Sequence, residues 1–157
     1  MERRKPNRLE GYDYSTCGAY FITICTKGKE NLFWQQPPVG AASGRPPLTE
    51  AGRIVETAIR GIPDHYPAVT VDHYAIMPNH IHLLLDIHAG EDGRPVAAPT
   101  IGRVVNQLKG TISKRIGQPI FQKSYHDHSI RDREDYLIRG NYIDTNSVRW
   151  AEDEYYG

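Results

Sequence analysis

Apolar positions along this chain alternate between two spacings, and the changes of spacing divide it into elements. Gly18–Lys27 (GAYFITICTK) interleaves aromatic and β-branched residues and predicts a strand. Gln35–Pro47 is rich in proline and small residues and reads as a surface loop. Thr49 then caps a predicted helix in which Ile54, Val55, Ala58, Ile59 and Ile62 recur at helical spacing, with Pro63 as its stop. Two strands follow, Val69–Met77 and His80–Ile87, joined by a tight turn at Pro78-Asn79, and His88–Pro99 reads as a second loop. Thr100 opens the clearest helix. Its stripe is Ile101, Val104, Val105, Leu108, Ile112 and Ile116, and Gly117 with Pro119 ends it. Ile120–Ile130 reads as a last strand. Asp132 then caps a final helix from about Arg133 to Asn146, with Asp135 placed to help at its third position.

The order strand–helix–strand–strand–helix–strand predicts an α+β, ferredoxin-like fold: an antiparallel sheet with helices on one face, plus a C-terminal helix that covers an edge or presents residues to the sheet. At 157 residues the chain is expected to form one domain, 1–157, with a proper hydrophobic core. Its apolar runs are too short to span a bilayer, and the basic start Met1–Lys5 lacks the apolar stretch of a secretory signal. Cys17 and Cys25 form no disulfide framework and no CxxC motif; as small core residues they suit a reducing cytoplasm. Net charge is zero, which argues against a generally basic nucleic-acid coat. Locally, however, residues 101–131 carry Arg103, Lys109, Lys114, Arg115, Lys123 and Arg131 against the single acid Asp127, so one basic face is expected.

Chemistry concentrates in Met77–Leu85 (MPNHIHLLL). Residues two apart on a strand share a face, so His80 and His82 project side by side while Ile81 turns into the core. Two imidazoles on one rigid strand are half of a divalent-metal site, and Asn146, Asn79, His126 and His128 are the candidate third ligands. No GxSxG, phosphate-binding glycine loop or HExxH is present. A tyrosine hydroxyl is the remaining nucleophile, and Tyr142 stands out because Asn146 lies one turn on, at i+4, on the same helix face. Tyr125 and Tyr136 compete without such an oxygen one turn along, and Ile138, one turn before Tyr142, allows that tyrosine to be an ordinary extension of a packing stripe. His126 and His128 repeat the alternating pattern, with Asp127 facing the other way.

Taken with their context, these residues resemble the single-tyrosine transposases with a His–hydrophobic–His motif, and most closely the branch called REP-associated tyrosine transposases. The resemblance runs through Arg8-Leu9, Tyr12–Ser15, Gly18–Thr23 and Leu32-Phe33, then Pro78–Leu84, Leu108–Gly110, Tyr125–Arg131 and Tyr142–Asn146. It implies metal-dependent cleavage and strand transfer on single-stranded DNA at hairpin-forming sequences. His80 and His82 would hold Mg²⁺ or Mn²⁺, Asn146 would supply the third ligand, and Tyr142 would attack phosphorus to form a 5′-phosphotyrosine. Arg103, Lys109, Lys114 and Arg131 are the expected DNA contacts. No membrane partner is expected, and both a homodimer and a monomer are compatible with the resemblance. Two departures stand out: Ser147 follows Asn146 where proline is usual, and Trp34 follows Leu32-Phe33 where glycine is usual. Neither removes a chemical group. Two further readings compete with strand transfer: a catalytically silent hairpin-binding protein, and a metal-dependent hydrolase with no covalent intermediate.

Overall fold

In the computed structural model, residues 18–35, 48–88 and 100–146 are described. Four strands, β1 (Gly18–Cys25), β2 (Val69–Ile76), β3 (His80–Ile87) and β4 (His126–Ser129), form one sheet in the order β2-β3-β1-β4. All three pairings are antiparallel, which with the intervening helices is the expected ferredoxin-like topology. The helices are α1 (Glu50–Arg60), the one-turn α2 (Ile62–His65), α3 (Ile101–Ile116) and α4 (Arg133–Thr145).

Capping chemistry sets the helix starts as the sequence predicts. The hydroxyls of Thr49 and Thr100 accept from Gly52 N and Arg103 N, and the Asp132 carboxylate accepts from Asp135 N. Gly117 closes α3 in the left-handed conformation at φ 103°, where a side chain would be strained. Two boundaries differ from expectation. Pro63 does not end α1: α1 stops at Arg60, and Pro63 sits in the first turn of α2, where its missing N–H is no loss. The last strand is also much shorter than Ile120–Ile130. Ile120 and Phe121 are buried and bind the segment after β1 instead, through Lys27 N to Ile120 O (2.9 Å) and a bridge between Thr26 and Phe121. The predicted loops at Gln35–Pro47 and His88–Pro99 lie almost wholly outside the described residues, as do Cys17, Trp150 and the tyrosines near the end.

The strand alternation sends two sets of side chains to two cores. Ile22, Ile24, Ile81, Leu83 and Leu85 meet Val55, Ile59, Val104, Val105, Leu108 and Ile112 of α1 and α3. On the opposite face Phe21 and Leu84 meet Ile143 of α4. The sheet is therefore covered on both sides, and β3 is buried along nearly its whole length. Of the two placements the sequence leaves open for the C-terminal helix, it takes the second: it lies on the histidine face and presents residues to the sheet.

Gly140 makes the close crossing of α4 over β2 possible. A Cβ there would stand 3.0 Å from His73 Nε2, and the His73 ring is held edge-on to Tyr136 (6.3 Å) while its Nδ1 pairs with Asp144 Oδ1 at 2.9 Å. Alanine is the better helix former by about 1 kcal/mol. Even so, Gly140→Ala is expected to lower stability by about 1–2 kcal/mol through overpacking. A thermal melt equal to or above that of the parent would show that His73 gives way freely.

Candidate active site

The site starts with the turn that launches β3. Met77 N donates to His80 O (2.8 Å), and the segment after β1 bolts the turn from outside. Leu32 N and Phe33 N reach Pro78 O, and Thr26 N reaches Asn79 O. Trp34, the departure noted above, is buried, and its indole N–H donates to Ile76 O at 2.7 Å, so the larger side chain adds a tie to the strand end beside the turn.

His80 and His82 are 0 % and 1 % exposed, with ring centroids 4.7 Å apart. Both rings are fixed through Nδ1. Asn79 Nδ2 donates to Lys29 O (3.4 Å), so the Asn79 carbonyl oxygen faces His80 and must accept its Nδ1–H, at 2.7 Å. That tautomer carries its lone pair on Nε2. His82 Nδ1 lies 3.0 Å from Thr23 Oγ1, and its Nε2 is buried. A neutral oxygen on Nδ1 is how metal-binding imidazoles are commonly oriented. Asn79, a candidate ligand in the sequence, directs its side-chain oxygen at the His80 ring.

From above, α4 brings Tyr142 to within 5.3 Å of the His82 ring and 6.0 Å of Phe21, which itself stacks on His82 at 5.3 Å and 21°. Asn146 caps the C-terminal end of α4, 2 % exposed, and its Oδ1 is buried with no hydrogen-bond partner. Tyr142 does not extend a stripe through Ile138, although it packs against the cluster of Phe21, Leu84 and Ile143. Ile138 and Leu137 are more than half exposed, and the buried positions of α4 are Asp135, Gly140 and Ile143, with Asn146 at its end. The other tyrosines are occupied elsewhere. Tyr136 donates its hydroxyl to Asp72 Oδ2 (2.7 Å), a bond that pushes its pKa up to about 12. Tyr125 packs with the α1/α3 core, and burial raises its hydroxyl further from ionisation.

Among the described residues no three His, Cys, Asp or Glu side chains are grouped to hold a metal ion. His80 and His82 stand side by side, and Asn146 is buried at the end of α4. The buried amide oxygen of Asn146 is the observation that would suit a cation ligand, because such a group is costly to leave unsatisfied. Of the other ligand candidates, His126 is exposed beside Thr23 on β4, and His128 donates to Asp135 Oδ2 at 2.8 Å.

The expected DNA contacts divide between the faces. Arg103 and Lys114 are exposed on α3, across the sheet from the histidines. Lys109 donates to Gln122 O (2.8 Å) and Lys123 O (3.0 Å), tying α3 to the segment before β4, and burial lowers its pKa. Arg131 is exposed at the start of α4, its Nε 3.6 Å from Asp135. Sequence reasoning missed Thr23, Phe21, His73 and Arg139. Only strand alternation carried any signal for the first two.

No family model matches the chain. It is 32 % identical to an uncharacterised protein of Haemophilus influenzae, over 99 % of this chain and 94 % of that one. It is 24 % identical to a second protein of the same organism, provisionally named a REP-associated tyrosine transposase, over 87 % of this chain and 74 % of the relative. The solved structure of a REP-associated tyrosine transposase bound to a REP hairpin superposes with a TM-score of 0.59 at 17 % identity, covering 98 % of this chain and 77 % of the other. At that identity the likeness establishes the shared fold.

Asp135 anchors the start of α4 over this site. The backbone N–H of Arg131, then the bond from His128, hold its carboxyl well below the usual carboxylate range, with Arg139 adding to the effect. A depressed native pKa stabilises the fold above the unfolded value, near 3.9, and the contribution is lost as pH falls through the native value. Asp135→Asn is therefore expected to lower the melting temperature at pH 7 and to flatten its fall below pH 4. Identical pH–stability curves for the two proteins would remove Asp135 as the anchor.

Proposed function

We propose that this chain is a REP-associated tyrosine transposase and that it cuts and rejoins single-stranded DNA at hairpin-forming sequences through a tyrosine ester. The observation that carries the reading is the meeting of Tyr142 with His82, beside His80 and within one turn of the buried Asn146 oxygen. The hairpin as partner is supported by the related transposase bound to a REP hairpin.

His80 and His82, each through Nε2, and Asn146 through Oδ1 would hold Mg²⁺ or Mn²⁺. When bound, the ion supplies Lewis-acid polarisation of the scissile phosphate. The rest of the chemistry belongs to the chain. The Tyr142 oxygen bonds to phosphorus, the bond from phosphorus to the 3′ oxygen breaks, and the tyrosine proton passes to that oxygen. The products are a 5′-phosphotyrosine and a free 3′-hydroxyl. The ester retains the energy of the original linkage, so a 3′-hydroxyl can attack it and reseal the strand. Asn79 and Thr23 hold the two imidazoles in register without needing to move during the step.

The test uses hairpin oligonucleotides drawn from DNA flanking the gene, with Mn²⁺ or EDTA, read on a denaturing gel. Wild type is expected to form a metal-dependent protein–DNA adduct, Tyr142→Phe none, and Tyr136→Phe about as much as wild type. Cleavage without an adduct would establish the hydrolase. Binding with neither cleavage nor adduct, in protein shown to hold Mn²⁺, would establish the silent hairpin binder.

A further inference from the structure

The candidate metal donors are two imidazoles with oxygen partners on Nδ1 and one amide. A phosphodiester attacked by tyrosine gains negative charge on its non-bridging oxygens, which a nearby cation would offset. One cation stands close to the reacting groups on the helix that carries the nucleophile. Arg139 precedes Tyr142 by three residues, so the two share a face of α4. Its guanidinium carbon lies 5.1 Å from the centroid of Phe21, the same ring that stacks on His82 and meets the edge of Tyr142. Phe21 is thus a hub with the imidazole, the phenol and the guanidinium arranged around it.

Arg139 is also held in a way that leaves donors to spare. Its Nε lies 3.4 Å from Asp135 Oδ1, a carboxylate whose other oxygen accepts from Arg131 N and His128. A guanidinium has five N–H donors, and the Nε contact engages one of them. Among the described residues this is the hydrogen bond that Arg139 makes, and about a third of its side chain is exposed. Stacking on Phe21 and the Asp135 contact limit the rotamers, so little freedom is lost when a phosphate oxygen is gripped. Arg103, Lys109 and Lys114, by contrast, lie on α3 across the sheet and cannot reach the same phosphate.

We infer that Arg139 is a further catalytic residue: its guanidinium contacts a non-bridging oxygen of the scissile phosphate and offsets the charge that builds as Tyr142 attacks. The inference rests on the strand-transfer reading above. The alternative is that Arg139 only fastens α4 to the sheet by lying on Phe21. The two differ in what they require of the side chain. Catalysis requires the positive charge. Fastening requires an extended, apolar stem against the ring.

The test compares wild type, Arg139→Lys and Arg139→Met in single-turnover adduct formation at saturating protein with Mn²⁺, with hairpin binding measured separately. Arg139→Met is expected to slow adduct formation about 100-fold, the usual effect of removing one transition-state donor. Arg139→Lys is expected to stay within about tenfold of wild type, and both should bind the hairpin within about threefold. A methionine variant as fast as the lysine variant would overturn the inference, because charge would then be irrelevant. Both variants as fast as wild type would assign Arg139 to fastening, because each keeps the stem on Phe21, and a loss confined to binding would make it a hairpin contact. Failure of wild type itself to form an adduct would instead remove the strand-transfer reading.

Discussion

Everything at the candidate site depends on α4 lying flat on the histidine face of the sheet. The apolar share of that contact is small, one cluster of Phe21, Leu84 and Ile143. Polar ties to both edge strands supply the remainder. On the β2 side, His73 pairs with Asp144 and Tyr136 donates to the bulged residue Asp72; on the β4 side, His128 donates to Asp135. Gly140 lets the helix come close enough for these ties to form. A helix held this way is oriented closely but bound less firmly than one seated on a broad apolar stripe. Such an element suits a nucleophile that must dock against buried imidazoles and also let DNA reach them.

The same arrangement explains the division of labour between the sheet faces. The face under α1 and α3 is a conventional apolar core and carries the stability. The opposite face carries His73, His80, His82, His126 and His128 on three strands, a density of polar side chains that a core could not bury without partners. Each buried imidazole has a neutral oxygen at Nδ1. On the proposed reading the bound ion and Arg139 provide the positive charge that meets the phosphate.

The likeness to the hairpin-bound transposase, at 17 % identity, is one of fold. Trp34 shows how a large side chain finds space beside the β2–β3 turn and adds a hydrogen bond to Ile76 O. The other departure, Ser147 after Asn146, lies outside the described residues.

Element order, helix caps and strand alternation were legible in the sequence because each rests on contacts between residues close in the chain. The pairing of His80 with His82 on one face, and of Tyr142 with Asn146 on one helix face, followed from the same local geometry. The position of α4 was not legible. Its buried side is Asp135, Gly140, Ile143 and Asn146, which has no apolar period, while Leu137 and Ile138 are the residues left exposed. Nor could the chain alone say that Thr23 meets His82 across 59 residues, that Asn79 orients its neighbour His80, or that Arg139 lies on Phe21. Strand register and helix docking decide those contacts, and both depend on long-range packing that periodicity along a single chain does not encode.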